Sequence, residues 1–480
     1  MTPTHHRLTL ATTLVTIALL LAIPAGTSLT TPPPPTAGAT LSPPTLGVAA
    51  WNPTDGDLLR ILAARDGHTL HVPAMPVVEH TQLEDLIIQL AANTGDTLTH
   101  DDLTAFATIH PQVRAPIATL LATMLVAGDM VRHAHDTWTA EDWAIWQDYN
   151  NQLNARTDAA APVHDPRIAP ILSKQNKADI ISAAVMLNDA LDSTIVPALQ
   201  AASDNGVWPP VMISDPGFVL SIGSGGDDRM DQAPILGGVD KQLMIDPAGN
   251  DQYGNNAGGC EFGRIVGPGW ANIPVCLSID LGGDDTYHHG SAFAGQGSGI
   301  NAIGILRDYQ GNDQYNYVSG IGTGATIGGI GQFHDYAGND NYDTRLNTMG
   351  YGQDGYGIYR DDQGDDTTTS TGYGGGSTAR QEGIGLFWDR GGADTRIAIG
   401  PYDRSYGYKG NAGDAWFVDE GPEADTFSYP QFTVPARFCD DCHWAHTSHL
   451  GGISYGNDND GGLAYLIGHQ ADWDPSPKAP

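Results

Sequence analysis

Two aspartates five positions apart, with a glycine turn between them, recur along the second half of the chain. The unit reads Asp-x-x-Gly-Asn/Asp-Asp-x-Tyr. It is clearest at Asp246 to Tyr253, Asp280 to Tyr287, Asp308 to Tyr315 and Asp335 to Tyr342. Weaker copies run from Asp361 to Thr368, from Asp389 to Arg396 and, with one inserted residue, from Asp419 to Phe427. A partial copy, Gly225-Gly226-Asp227-Asp228, opens the series. Carboxylates repeated at fixed spacing are hard oxygen donors, and Ca²⁺ takes roughly six to eight such oxygens in flexible geometry. Asp246, Asp251, Asp280, Asp285, Asp308, Asp313, Asp335, Asp340, Asp361 and Asp366 are therefore candidate metal ligands. The competing reading has no metal. In it Asp and Asn close turns by side-chain to backbone hydrogen bonds.

The leading aspartates are separated by 34, 28, 27, 26, 28 and 30 residues. Propeller blades need about 40 residues or more, and the nine-residue β-roll period is absent. Rungs of about 27 residues fit a parallel β-helix, in which no rung buries its apolar face without a neighbour. Two residues before each leading Asp stand Met244, Ser278, Leu306, Phe333, Tyr359, Phe387 and Phe417, a mostly large apolar column that should face inward. Alternation puts Ile245, Ile279, Arg307, His334, Arg360, Trp388 and Val418 on the other face, where their mixed chemistry suggests contact with solvent. Gly304, Gly331, Gly357 and Gly385 should leave room beside the inward rings. Tyr253, Tyr287, Tyr315 and Tyr342 form either an aromatic stack that pins register or a carbohydrate-stacking surface.

Stacking places like charges in register. Two carboxylates about 5 Å apart repel by about 3 kcal/mol at an effective dielectric of ~20. A divalent cation between rungs removes that repulsion. Here Gly249-Asn250-Asp251-Gln252-Tyr253 and Gly311-Asn312-Asp313-Gln314-Tyr315 resemble the Gly-Asn-Asp-x-bulky half of RTX calcium repeats. The resemblance implies Ca²⁺ held by turn residues between successive coils. The chain departs from that family in its longer period and in replacing the first Gly-Gly pair mostly by Asp-x-x.

The remaining elements follow from composition. The chain has 480 residues and a net charge of -34, which disfavours nucleic acid and anionic membranes and favours cations. The acids are 49 Asp and 7 Glu, and the same bias before residue 206 points to a partly compositional habit, as in salt-adapted proteins. Residues 1–39 read as a signal peptide, with His5, His6 and Arg7 before an apolar run from Leu14 to Ile23. If uncleaved, this leader would anchor the chain in a membrane, and no other segment looks long and apolar enough to span one. A Pro/Thr-rich linker covers 40–54 and a helical domain 55–205. Helical spacing is clear at Leu83, Leu86, Ile87 and Leu90 and at Ile117, Leu120, Leu121, Met124 and Leu125. Thr139 should cap a helix, and Pro197 should bend or break another. Only 7 of 60 glycines precede residue 206, so the switch to the Asp/Gly solenoid of 206–430 is sharp. The helical domain is expected to cap the open first rung, and 431–480 to form a C-terminal cap.

Four cysteines in an exported chain suggest disulfides, Cys260 with Cys276 and Cys439 with Cys442. Cys439 and Cys442 with His443, His446 and His449 also have a spacing that could hold Zn²⁺. His288 and His289 read as surface residues, and no hydrolase, zinc-protease or phosphate-loop motif is present. The sequence thus predicts a mixed protein, an N-terminal all-α domain followed by a parallel β-solenoid. It is expected to be secreted or at the cell surface, stabilised by calcium, with a structural or adhesive role. Divalent cations, and extracellular carbohydrate or a surface protein, are its expected partners. The alternatives are a polysaccharide-active lyase or hydrolase, with Arg307 and Arg360 as candidates, or a metal-free spacer.

Overall fold

The computed structural model describes residues 52–458 apart from internal stretches, the longest being 231–242, 400–412 and 429–442. The leader, most of the 40–54 linker, Cys439, Cys442, His449 and residues 459–480 lie outside the described residues.

The N-terminal part is helical: α1 (Asp55–Arg65), α2 (Leu83–Asn93), α3 (Pro111–His133), α4 (Ala140–Asn154), α5 (Ile168–Leu172), α6 (Lys177–Ala190) and α7 (Val196–Asp204). Local chemistry sets several ends. Thr54 Oγ1 accepts from the Asp57 N–H at 3.1 Å, with Asp55 and Asp57 in the first turn of α1 and Arg65 in its last. Such charges oppose the helix dipole. Thr139 and Asp142 cap each other reciprocally at the start of α4. Pro197 has no N–H to donate backwards, and the chain widens into a π-turn over Leu191–Ile195 before α7 begins. Two helical stretches do reach the length and hydropathy of a membrane span, correcting the expectation that none would. They are Pro111–His133 and Lys177–Asp204, with mean hydropathy 1.3 and 1.2. Each is a core element here, with 72% of its apolar window buried in the fold.

From Val211 onward the chain coils as a parallel β-solenoid. One face is an eleven-stranded sheet whose parallel strands include Leu243–Asp246, Val275–Asp280, Ile303–Asp308, Ile330–Asp335, Tyr356–Asp361, Ile384–Asp389 and Asp414–Asp419. A second face has seven parallel strands, from Gln252–Gly254 to Thr426–Ser428, and a third has four two-residue strands. Register is strict: Asp308 lies opposite Asp335, Asp335 opposite Asp361, and Tyr315 opposite Tyr287 and Tyr342. Both ends of the large sheet turn antiparallel, Val211–Asp215 against Phe218–Ile222 and His443–Thr447 against Ile453–Asp458.

Met244, Leu306, Phe333, Tyr359, Phe387 and Phe417 face inward as expected and pack with the tyrosine column. Gly304, Gly331, Gly357 and Gly385 leave room, but for a different neighbour. A Cβ at each would lie 2.0 to 2.3 Å from the carbonyl oxygen of Ser298, Ala325, Tyr351 or Ser377. It is the close approach of the third face that requires glycine there.

The second column is not solvated. Ile245, Ile279, Arg307, His334, Arg360, Trp388 and Val418 are all buried. The helical domain lies along this flank of the sheet instead of over its first rung, and its apolar residues share one core with Leu220 through Val418. Burial forces Arg307, His334 and Arg360 to find partners. Asp55 supplies one, at 3.2 Å from Arg307, 3.0 Å from His334 and 3.2 Å from Arg360. Asp192, on the π-turn, pairs with Arg307 at 2.5 Å, and Asp362 pairs with Arg360 at 2.8 Å. Burial pushes the Asp55 carboxyl up, but His334, Arg307 and Arg360 together hold it well below the usual carboxylate range. Asp55→Asn keeps the shape and removes the charge. It should cost roughly 3–5 kcal/mol, because buried cations lose their counter-ion. A denaturant midpoint within error of the parent would show that apolar packing alone docks the helices.

Candidate metal centre

Each turn between the large sheet and the seven-stranded sheet is built on backbone that only glycine tolerates. Gly249, Gly311 and Gly364 have φ of +135°, +155° and +145°. A Cβ there would meet the Gly226, Gly283 or Gly338 carbonyl of the preceding rung. The close stacking brings three acidic or amide columns to the same edge.

The outermost column is exposed. Asp227, Asn250, Asp284, Asn312, Asn339 and Asp365 each accept, through Oδ1, the backbone N–H of the equivalent residue one rung on, at 2.8 to 3.1 Å. The trailing aspartates repeat this bond one residue later, in a position that is buried from Asp251 to Asp394 and half-buried at Asp425. Oδ1 of Asp251, Asp285, Asp313, Asp340, Asp366, Asp394 and Asp425 accepts from the N–H of the preceding rung's trailing Asp at 2.5 to 2.7 Å. The leading aspartates are buried as well. Asp280 and Asp335 bond their own turn through Oδ1, to the N–H of Gly282 and Ala337. Their Oδ2 accepts from the tyrosine of the preceding rung. Tyr253 donates to Asp280, Tyr287 to Asp308 at 2.6 Å, Tyr315 to Asp335 at 2.7 Å and Tyr342 to Asp361 at 2.7 Å.

Carboxylate oxygens are left over in the rungs of Asp251, Asp285, Asp313 and Asp366. Oδ2 of Asp251, Asp285, Asp313 and Asp366 accepts from no donor, although these residues are only 1 to 2% exposed. Their nearest polar neighbours are other carboxylates. Asp251, Asp280 and Asp285 each bring an oxygen within 4.8 Å of the other two, as do Asp285, Asp308 and Asp313. Asp313 with Asp335 and Asp340, Asp340 with Asp361 and Asp366, and Asp228 with Asp246 and Asp251 do the same. An ion with metal–oxygen distances of roughly 2.3–2.6 Å fits among oxygens so spaced. All ten candidate aspartates fall in these groups. The sequence reading omitted Asp228, whose partial motif was the available signal.

Burial and then like charge dominate the titration of the row. Burial, followed by Asp280, raises Asp285 to about 9, and burial with Asp335 raises Asp313 to about 10. Asp340 is pushed up to about 7 and Asp251 to about 6, again chiefly by burial. Asp308, Asp335, Asp361 and Asp366 are raised for the same reasons. A proton shared between carboxyls or a bound cation can relieve this; water does not reach it.

One rung differs. In the tyrosine column, Tyr342 is followed by Thr368 and then by Arg396. The Arg396 guanidinium is buried between Asp389 at 2.8 Å, Asp394 at 3.0 Å and Asp419 at 2.7 Å. Sequence reading passed over Arg396 as a weak copy. The signal was a cation where the repeat has tyrosine.

Other candidates resolve differently. Cys260 and Cys276 form a disulfide. The zinc expectation for Cys439, Cys442, His443 and His446 is corrected. Among the described residues the cysteines pair with each other, and the groupings fit for a metal that are named above consist of aspartates. Cys439 and Cys442 themselves lie outside the described residues. The tyrosine column is an interior stack, with ring centroids 4.5 to 4.8 Å apart at Tyr253–Tyr287, Tyr287–Tyr315 and Tyr315–Tyr342, so it offers no carbohydrate surface. Arg307 and Arg360 are locked in the buried ion pairs under the helices. His288 is exposed. A surface cleft of about 820 Å³ lies among Asp66, His68, Lys177, Asp354, Tyr356 and Asp414, and no ladder aspartate lines it.

Comparison with protein-family models, with curated proteins and with solved structures finds no match, so the functional reading rests on this geometry.

The raised carboxyls set the sign of the pH dependence without metal. Folded values above the unfolded value of about 3.9 mean that protonation favours the fold. The stability they contribute is fully present below pH ~4. It is lost as pH rises through Asp251 near 6, Asp340 near 7 and Asp285 near 9. In chelator the unfolding midpoint should fall steadily from pH 5 to pH 9, by several kcal/mol in total. A flat profile over that range would contradict the buried, like-charged environment.

Proposed function

We propose that this chain is an exported structural or adhesive β-solenoid whose rungs are joined by Ca²⁺ in the aspartate triads. The observation that carries the reading is the row of buried Oδ2 atoms on Asp251, Asp285, Asp313 and Asp366, which have carboxylates for neighbours and no donor. Ionised, the three carboxylates of a triad carry like charge in low-dielectric surroundings, which is costly unless a cation or protons neutralise it. Hard, oxygen-only donor sets suit Ca²⁺, whereas Mg²⁺ demands small octahedral geometry and keeps its waters. Export is supported by the apolar run from Leu14 to Ile23 and by the Cys260–Cys276 disulfide, which an oxidising compartment would maintain. A scaffold role is supported by uniformity. The acidic site repeats with the same atoms in rung after rung, whereas catalysis concentrates unlike groups at one place.

Ca²⁺ bound only by the folded form would stabilise it by about 2.7 kcal/mol at a hundredfold excess over Kd. Thermal unfolding of the purified chain should therefore shift up in millimolar Ca²⁺ and down in chelator, with Mg²⁺ substituting poorly. Asp313→Asn with Asp340→Asn should weaken the shift while the helical signal persists. If NaCl at matched ionic strength reproduces the whole effect, screening explains it and the triads hold protons.

A further inference from the structure

We propose that Arg396 is a built-in counter-ion that takes the place of a bound cation in its own rung and so ends the row of ion sites. The inference rests on the reading that the triads bind Ca²⁺. It is carried by an atom-for-atom equivalence between rungs. Parallel register puts Arg396 in the column of Tyr253, Tyr287, Tyr315, Tyr342 and Thr368. Tyr315 Oη sits between the leading carboxylates of two successive rungs, 3.2 Å from Asp308 Oδ2 and 2.7 Å from Asp335 Oδ2. Arg396 Nη2 holds the same two positions, 2.8 Å from Asp389 Oδ2 and 2.7 Å from Asp419 Oδ2. It also donates to the trailing Asp394 Oδ2 at 3.0 Å, an atom that in the tyrosine rungs only Tyr342 approaches, at 3.5 Å from Asp340 Oδ2. That is the atom left without a donor on Asp251, Asp285, Asp313 and Asp366. Oδ2 of Asp389, Asp394 and Asp419 alike accept from the guanidinium.

Charge points the same way. Tyrosine gives one donor and no charge, so the carboxylates around it still need a cation. The guanidinium brings a full positive charge into a fully buried site, and it is held between the Phe387 and Phe417 rings, 4.9 and 5.5 Å from their centroids. Such a charge is tolerated only when closely paired. A divalent ion and a guanidinium cannot share the space, and their positive charges would repel there. The rung of Arg396 is thus closed to metal and stable without it. The tyrosine rungs are open to metal and depend on it.

The test counts ions. Folded monomer equilibrated with ⁴⁵Ca²⁺ by dialysis should hold one more ion per chain in Arg396→Tyr than in wild type. The reciprocal Tyr315→Arg should hold one fewer. In chelator, Arg396→Tyr should also unfold several degrees below wild type and recover in Ca²⁺. Wild-type stoichiometry in both variants would overturn the role given to Arg396 and leave the other triads intact as sites. If Arg396→Tyr does not fold, an unchanged count in Tyr315→Arg overturns it alone. A wild-type chain that holds no Ca²⁺ would overturn the reading of the triads themselves, and with it the row that Arg396 is said to end.

Discussion

Parallel strands in strict register place identical residues about 4.8 Å apart, and every other feature of this molecule answers to that constraint. For apolar side chains the repetition is favourable. Phe333, Tyr359, Phe387 and Phe417 stack ring on ring at 4.7 to 5.1 Å, and the tyrosines do the same on the facing wall. For charged side chains it is unfavourable, since each carboxylate meets its own kind above and below. The backbone bends to the same requirement. Glycine stands where the preceding rung's carbonyl comes too close for a Cβ, as at Gly311, and where the third face does, as at Gly331.

The two long edges of the large sheet meet charge in opposite ways. Under the helices, Arg307, His334 and Arg360 face Asp55, Asp192 and Asp362, so each guanidinium is buried beside a carboxylate and His334 bonds Asp55. At the turn edge only one sign is present until Arg396. The first arrangement is complete within the chain and ties the helical domain to the solenoid flank. The second is incomplete within the chain, and from this the dependence on a proton or a cation follows. Arg307 and Asp308 are neighbours in one strand, yet neutralisation on one side cannot serve the other, because alternation carries their side chains to opposite faces of the sheet.

Much of this was legible in the sequence because period carries geometry. The spacing of Asp308, Asp335 and Asp361 gave the rung, and Leu306 and Phe333 gave the inward face. The position of the helical domain was not legible. Arg307, His334 and Arg360 look like solvated residues until Asp55 is seen to pair with them from some 250 to 300 positions away, and nothing local encodes a partner so remote. The disulfide was readable because Cys260 and Cys276 straddle one rung. Arg396 was misread because a departure from a repeat resembles decay. Only the register shows that its guanidinium reaches the atom that Tyr253, Tyr287 and Tyr315 leave unserved.

The choice between aspartate and asparagine separates turn formation from charge. The exposed column and the buried trailing column make the same bond, an Oδ1 accepting a backbone N–H one rung away. Asparagine makes that bond as well as aspartate does, and the exposed column uses both: Asp227, Asn250, Asp284, Asn312, Asn339, Asp365. In the buried column, where a charge is more costly, asparagine never appears. Positions 228, 251, 285, 313, 340, 366, 394 and 425 are all aspartate. If these residues only closed turns, burial would favour the neutral amide, whose second atom could donate to a neighbouring carboxylate. The column instead keeps a second oxygen at every rung. Its use is visible at Asp394, where that oxygen binds a cation, the guanidinium of Arg396. The same atom in the tyrosine rungs stands in the same place, among the same carboxylates, with the cation left for the surroundings to supply.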